Sequence, residues 1–170
     1  MTDSEILSQL DAAVASPALV AHVERVVPSL EAQLNRDPNA IMSWEPIPLQ
    51  IYGPLPPEIK SSWIFVLREG ITTGAERHPN SHQRMMSYRG SGEFPVQRDG
   101  EWVPHRLTSD RTRPIEDRWV SIPPYVWHKP MVDAGQHWVV VSFHTVLAED
   151  LIEERPGEDG GVEQKLYLEH

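Results

Sequence analysis

The chain has no cysteine among its 170 residues. That excludes disulfides, zinc–thiolate sites, iron–sulfur clusters and thiol nucleophiles together. It also lacks any apolar run near the roughly 20 residues a membrane span requires. Met1-Thr-Asp-Ser-Glu5 does not have the pattern of a signal peptide, so the expected compartment is the cytoplasm, with no membrane partner. Basic surplus is missing too, since 15 Lys and Arg face 25 Asp and Glu for a net charge of −10. From Glu149 onward there are eight acids and two bases, whereas Lys60 to Thr145 holds eleven bases and nine acids. An acidic tail beside a near-neutral body argues against a nucleic-acid binder, which needs a basic stripe.

What is present fits one domain with a core large enough to need no covalent staple. Sixteen prolines and six tryptophans point to many short strands and turns with bulky pocket walls. The reading divides the chain into a helical arm (1–40), a β-barrel (41–147) and an acidic tail (148–170). The final Leu168-Glu169-His170 reads as the stub of a purification tag.

Along the chain, Thr2-Asp-Ser-Glu5 is a capping-box pattern ahead of Ile6, Leu7, Leu10 and Val14. Ser16-Pro17 restarts the helical pattern, with Leu19, Val20, Val23, Val26 and Val27 as its apolar stripe. Pro28-Ser29 predicts a break, followed by a short helix through Leu30 and Leu34. The arm is expected to pack on the barrel or, through Leu19, Val23 and Val26, on a second copy in a homodimer. His22 is read as a surface or interhelical residue. Trp44 to Ile51, interrupted by Pro46 and Pro48, suits an edge strand. Trp63 to Leu67, Arg84 to Tyr88, Arg118 to Ile122 and His137 to His144 read as further strands. Arg98-Asp-Gly100 marks a hairpin. Strands with turns every eight to twelve residues and no intervening helices imply an all-β antiparallel sandwich or barrel. After Leu147, one or two helical turns are expected over 148–155 and a mobile linker over 156–161.

The chemistry gathers in Gly70 to Gly90, which holds Glu76, His78, His82 and Gln83. A second segment, Ser121 to Pro130, adds His128 about forty residues on. The first segment resembles the leading motif of the cupin superfamily, G-x5-H-x-H-x3,4-E-x6-G. Gly70 and Gly90 are the flanking glycines, Glu76 and His78 hold the two histidine positions, and Gln83 holds the acidic one. The second cupin motif, G-x5-P-x-G-x2-H-x3-N, is matched at Pro123 and His128. Asp117, Tyr125 and Val132 stand where glycine, glycine and asparagine are usual. The resemblance implies a double-stranded β-helix (jelly-roll barrel) and one divalent metal ion. Two imidazoles and one carboxylate with open positions suit Fe(II) first, with Mn, Ni or Zn as alternatives.

Glu76 and His78 are two apart, so on extended chain both face one way. The fourth ligand is Gln83 with a four-residue spacer or His82 with a three-residue one. Imidazole binds these metals better than an amide, which favours His82. Pro79-Asn-Ser81 is turn-forming and leaves the strand phase open. Arg84, Tyr125 and Trp127 are candidates for the substrate pocket, and Arg84, Arg89 and Arg106 for holding an anionic group. His105, His137 and His144 match neither motif and are read as surface or hydrogen-bonding residues, although His144 has the option of pointing inward. Trp102, Trp119, Trp127 and Trp138 are read first as core. The resemblance implies a dioxygenase-type enzyme acting on a small organic substrate. A non-redox lyase or isomerase on the same ligands, or a non-catalytic binding cupin, are the alternatives. An oxoglutarate-dependent oxygenase fits poorly, because Glu76 precedes His78 and residues 134–147 contain no Arg or Lys.

Overall fold

The computed structural model describes residues 1–169. Helix α1 (Asp3–Val14) opens on a capping box in which the Glu5 amide donates to the Thr2 hydroxyl and the Thr2 amide to the Glu5 carboxylate. Ser16 caps helix α2 (Pro17–Arg36), with Pro17 in its first turn. The break predicted at Pro28 does not occur, and α2 passes through it. Pro28 lies on the solvent side, where water can take the carbonyl that its missing N–H leaves unbonded.

Twelve strands follow among the described residues: β1 (Met42–Pro46), β2 (Ser61–Leu67), β3 (Gln83–Arg89), β4 (Ser91–Glu93), β5 (Val96–Arg98), β6 (Glu101–Val103), β7 (Arg106–Thr108), β8 (Trp119–Ile122), β9 (Met131–Val132), β10 (Trp138–His144), β11 (Ile152–Pro156) and β12 (Val162–Leu166). The main sheet has the order β1-β2-β10-β3-β8, all antiparallel. A three-stranded sheet, β7-β4-β9, and the hairpins β5-β6 and β11-β12 complete the barrel. β1 is an edge strand as expected, but it stops at Pro46, and Leu49–Tyr52 forms a 3-10 turn. Asp99 and Gly100 turn the β5-β6 hairpin with φ of 50° and 82°, the two positive angles of a type I′ turn. Gly92 lets β4 lie close to its neighbours: a Cβ there would sit 2.5 Å from the Met131 carbonyl and 2.6 Å from the Trp138 ring.

Alternation on the main sheet creates two cores. One face of β2 and β10 (Ile64, Val66, Val139, Val141, Phe143) meets the helices through Leu19, Val23, Val26, Leu30 and Leu34. The opposite face (Trp63, Phe65, Leu67, Trp138, Val140), with Met85, lines the barrel interior with Phe94, Leu107 and Tyr167. The arm therefore packs on its own sheet, and Leu19, Val23 and Val26 are buried there rather than free for a second copy. No single helix among the described residues is long and apolar enough to cross a membrane, and α1 and α2 are bent by 69° relative to one another. Trp119 and Trp138 are core residues, but Trp102 is 38% exposed, with the Lys129 ammonium 4.4 Å above its ring.

The C-terminal segment differs from expectation. A single 3-10 turn, Ala148–Asp150, replaces the helical turns, and residues 152–166 form the β11-β12 hairpin instead of a helix and linker. The reason is a period-two pattern: Leu151 and Glu153 are buried, while Ile152 and Glu154 are less so. The hairpin is tied to the barrel by Arg77 and Glu154, which exchange two backbone hydrogen bonds of 3.0 and 2.9 Å. Of the residues read as a tag stub, Leu168 and Glu169 belong to a closing 3-10 turn with buried Tyr167, and His170 lies outside the described residues.

Candidate metal centre

The two motif segments meet as an isolated antiparallel bridge between Glu76 and His128. Each amide donates to the other residue's carbonyl at 2.9 Å. This pairing brings one donor atom each from Glu76, His78 and His128 within 4.8 Å of one another. His78 Nδ1 lies 2.8 Å from the Ile152 carbonyl, and His128 Nδ1 lies 3.1 Å from the Val126 carbonyl. A carbonyl only accepts, so both Nδ1 atoms carry the proton and both Nε2 atoms present a lone pair. Among the described residues, His128 Nε2 is wholly buried with no hydrogen-bond partner, 3.5 Å from Glu76 Oε1. Burying such a nitrogen without a partner is costly.

The other Glu76 oxygen, Oε2, accepts from Arg155 Nη2 at 2.8 Å, and Arg155 Nε donates to the fully buried Glu153. Burial by itself would raise the Glu76 pKa. The His128 contact, the charges that His128 and His78 carry once protonated, and Arg155 outweigh it and hold the carboxyl at about 2. Burial pushes His78 down to about 4, only partly opposed by Glu76. His144 is held well below its ordinary value, by burial first and then by His78 and His128. At neutral pH Glu76 is therefore a carboxylate and His78 a neutral imidazole, the forms a metal ion needs.

The remaining sequence candidates divide by strand parity. Gln83 and Met85 face the barrel interior, where Gln83 lines the same cavity as Glu76 and His78 and its buried Oε1 has no partner among the described residues. His82 and Arg84 point the other way. His82 Nε2 is 2.7 Å from the Ser121 hydroxyl, and Arg84 pairs with Asp3 at 2.7 Å and Glu58 at 2.9 Å. The preference for His82 over Gln83 is thus corrected: the side chain that reaches the cavity is Gln83, because β3 begins there with that residue in phase with Met85. Tyr125 and Trp127 also lie outside the cavity lining. Tyr125 is 60% exposed, and the Arg77 guanidinium sits over both rings, at 5.5 and 4.5 Å. Arg89 and Arg106 pair at the surface with Glu31 and Asp133.

His144, read first as a surface or hydrogen-bonding residue with an inward option, points inward, and Glu153, Arg155 and Tyr167 escaped the sequence reading. His144 ends β10 in phase with Trp138 and Val140, and its ring lies 5.1 Å from that of His78 with Nδ1 3.1 Å from the Ser81 hydroxyl. Inward parity from Trp138 is the signal that finds it, but β10 is apolar on both faces and hides its own phase. Glu153, Arg155 and Tyr167 come from the C-terminal hairpin and its closing turn, which carry no motif.

A divalent ion fits this donor set. Glu76, His78 and His128 would hold it, Gln83 is the available fourth donor, and the orphaned His128 nitrogen is the group most in need of a partner. With two neutral imidazoles and one carboxylate, such an ion supplies Lewis acidity and, for iron, access to dioxygen chemistry. The adjoining cavity is small, about 30 Å³.

No protein-family model and no curated protein matches the chain. Among solved structures it is similar to CapF bound to the inhibitor 3-isopropenyl-tropolone (TM-score 0.52, 15% identity, 66% of this chain and 30% of that one). It is also similar to the capsular polysaccharide assembling protein CapF from Staphylococcus aureus (TM-score 0.51, 14% identity, 64% and 29%). The formate complex of Lactobacillus farciminis oxalate decarboxylase matches at a TM-score of 0.48, with 11% identity over 62% and 29%. The chain thus spans about three tenths of the length of the CapF chains. At these identities the likeness concerns the fold alone. The paired antiparallel sheets and the likeness to the two CapF structures show a cupin-like β-barrel fold with an N-terminal helical arm.

Proposed function

We propose that the chain is a metal-dependent cupin enzyme that acts on a small organic substrate, with Fe(II) as first choice of ion and a dioxygenase-type reaction. The observation that carries this reading is the convergence of Glu76, His78 and His128 donor atoms within 4.8 Å, with His128 Nε2 buried and unpartnered. In this reading Glu76 binds through Oε1, because Arg155 occupies Oε2. The Ile152 and Val126 carbonyls hold His78 and His128 in the ligating tautomer. Gln83 supplies its amide oxygen to the ion or to the substrate. The apolar barrel wall keeps bulk water from the reacting centre.

A second reading, a non-redox lyase or isomerase, rests on His144. Its ring lines the cavity and its Nδ1 contacts Ser81, which places a proton-transfer group beside the substrate space. The deciding measurement has two stages. Elemental analysis of protein purified without added metal should find about one divalent ion per chain, and His128→Ala should lose it. Dioxygen uptake by the iron-loaded protein during turnover then separates oxygenase from lyase. Equal metal in both proteins, or none in either, refutes the metal centre and leaves a binding barrel.

A further inference from the structure

The cavity walls say what kind of molecule the centre accepts. Beside Glu76, His78, Gln83 and His144 and the Thr73 and Tyr167 hydroxyls, its lining is hydrocarbon or thioether: Met42, Phe65, Leu67, Met85, Phe94, Pro130 and Val140. Among the described residues no lysine or arginine lines it. The nearest arginine, Arg155, already spans Glu76 and Glu153. Arg84 faces Asp3 and Glu58, and Arg77 faces Glu154. Tyr167 turns its ring toward Trp44, Trp63 and Phe65, with centroids 5.8, 5.6 and 6.3 Å away. A second anionic end on a substrate would therefore lose its hydration in the cavity and meet no cation there.

We propose that the substrate has a single chelating oxygen head and a short uncharged hydrocarbon tail, and that dicarboxylates and phosphate esters are excluded. The proposal rests on the metal-centre reading. The head takes the positions left open by two imidazoles and one carboxylate, while the tail lies against Phe65, Leu67 and Val140. At about 30 Å³ the cavity has room for one or two waters. Tail length is therefore limited by wall volume, and Val140 is the wall residue whose trimming disturbs least.

The test uses the full chain loaded with Co(II), reading dissociation constants from the change in its visible absorption. The ligands are 2-oxo monocarboxylates of three to six carbons and oxaloacetate. In oxaloacetate a carboxylate replaces the CH(CH3)2 group of 4-methyl-2-oxopentanoate with little change of shape. The monocarboxylate should bind on the order of 100-fold more tightly than oxaloacetate. Val140→Ala should move the best tail to a longer chain. Equal binding of the matched pair, a preference for oxaloacetate, no binding by any of the series, or an unchanged length optimum in Val140→Ala overturns the proposal. Cobalt content, measured first, separates the two failures. A chain that takes up no cobalt refutes the metal centre itself, whereas a loaded chain without this selectivity refutes the tail assignment alone.

Discussion

Acid should loosen this fold in a range where a typical buried core is indifferent, and His78 is the reason. Its imidazole is held at about 4 in the folded chain, against 6.5 for the ordinary group, because burial penalises the charged form more than Glu76 favours it. The direction follows from proton counting. Between pH 6.5 and 4 the unfolded chain takes up a proton that the folded chain refuses, so stability is complete above 6.5 and is lost as pH falls toward 4. Each unit is worth about 1.4 kcal/mol, so His78 by itself removes about 2 kcal/mol between pH 7 and pH 5. His144 adds in the same direction, since burial and the neighbouring His78 and His128 hold it low as well. The assay is urea unfolding of metal-free protein at pH 7 and pH 5, comparing wild type with His78→Gln, which removes the titrating ring and keeps a donor for the Ile152 carbonyl. Wild type should lose about 2 kcal/mol more than the variant over that interval. An identical pH dependence in the two proteins would refute a buried neutral His78. Metal affinity should fall through the same window, because protons and metal compete for the same lone pair.

Further outcomes follow from the same geometry. His82→Ala should retain the full metal content, whereas Gln83→Ala should weaken metal retention, as read by dialysis against a chelator; the reverse result would restore His82 as the fourth ligand. Arg155→Met removes the group that fixes Glu76 Oε2 and should weaken metal binding by about 10–100-fold, the usual cost of losing a partner that orients a ligand, measured by competition titration. Saturating a ligand-competent site at 100 times its dissociation constant should stabilise wild type by about 2.7 kcal/mol, and His128→Ala should show no such gain in thermal unfolding. Pro28→Ala should raise stability by about 1–2 kcal/mol by restoring a helical hydrogen bond on the exposed side of α2. A loss instead would mean that the proline is needed where it stands.

Several features were legible without coordinates because they depend on short-range chemistry. The Thr2–Glu5 capping box, the Ser16 cap and the Asp99-Gly100 turn each need only a few neighbouring residues. The spacing of Glu76, His78 and His128 was equally readable, because two residues on extended chain share a face and a motif fixes their separation. The failures came where one local signal had two solutions. Pro28 is compatible with a break or with a solvent-facing carbonyl left to water, and only the position of α2 on the sheet chooses. Residues 148–161 lack a long apolar pattern, so a hairpin supported by Arg77 and capped by Tyr167 could not be told from a tail.

The sequence by itself determined the all-β class, the helical arm and the candidate residues Glu76, His78 and His128, since hydrophobic period, turn residues and motif spacing are written locally. Tertiary structure decided which faces of β3 and β10 point inward, and so turned Gln83 rather than His82 into the cavity and brought His144 beside His78. It also carried Arg155 and the Ile152 carbonyl back across the barrel to Glu76 and His78. The physical reason is that strand parity becomes meaningful only once one face has been buried, and contacts between residues nearly eighty positions apart are set by how the sheets close.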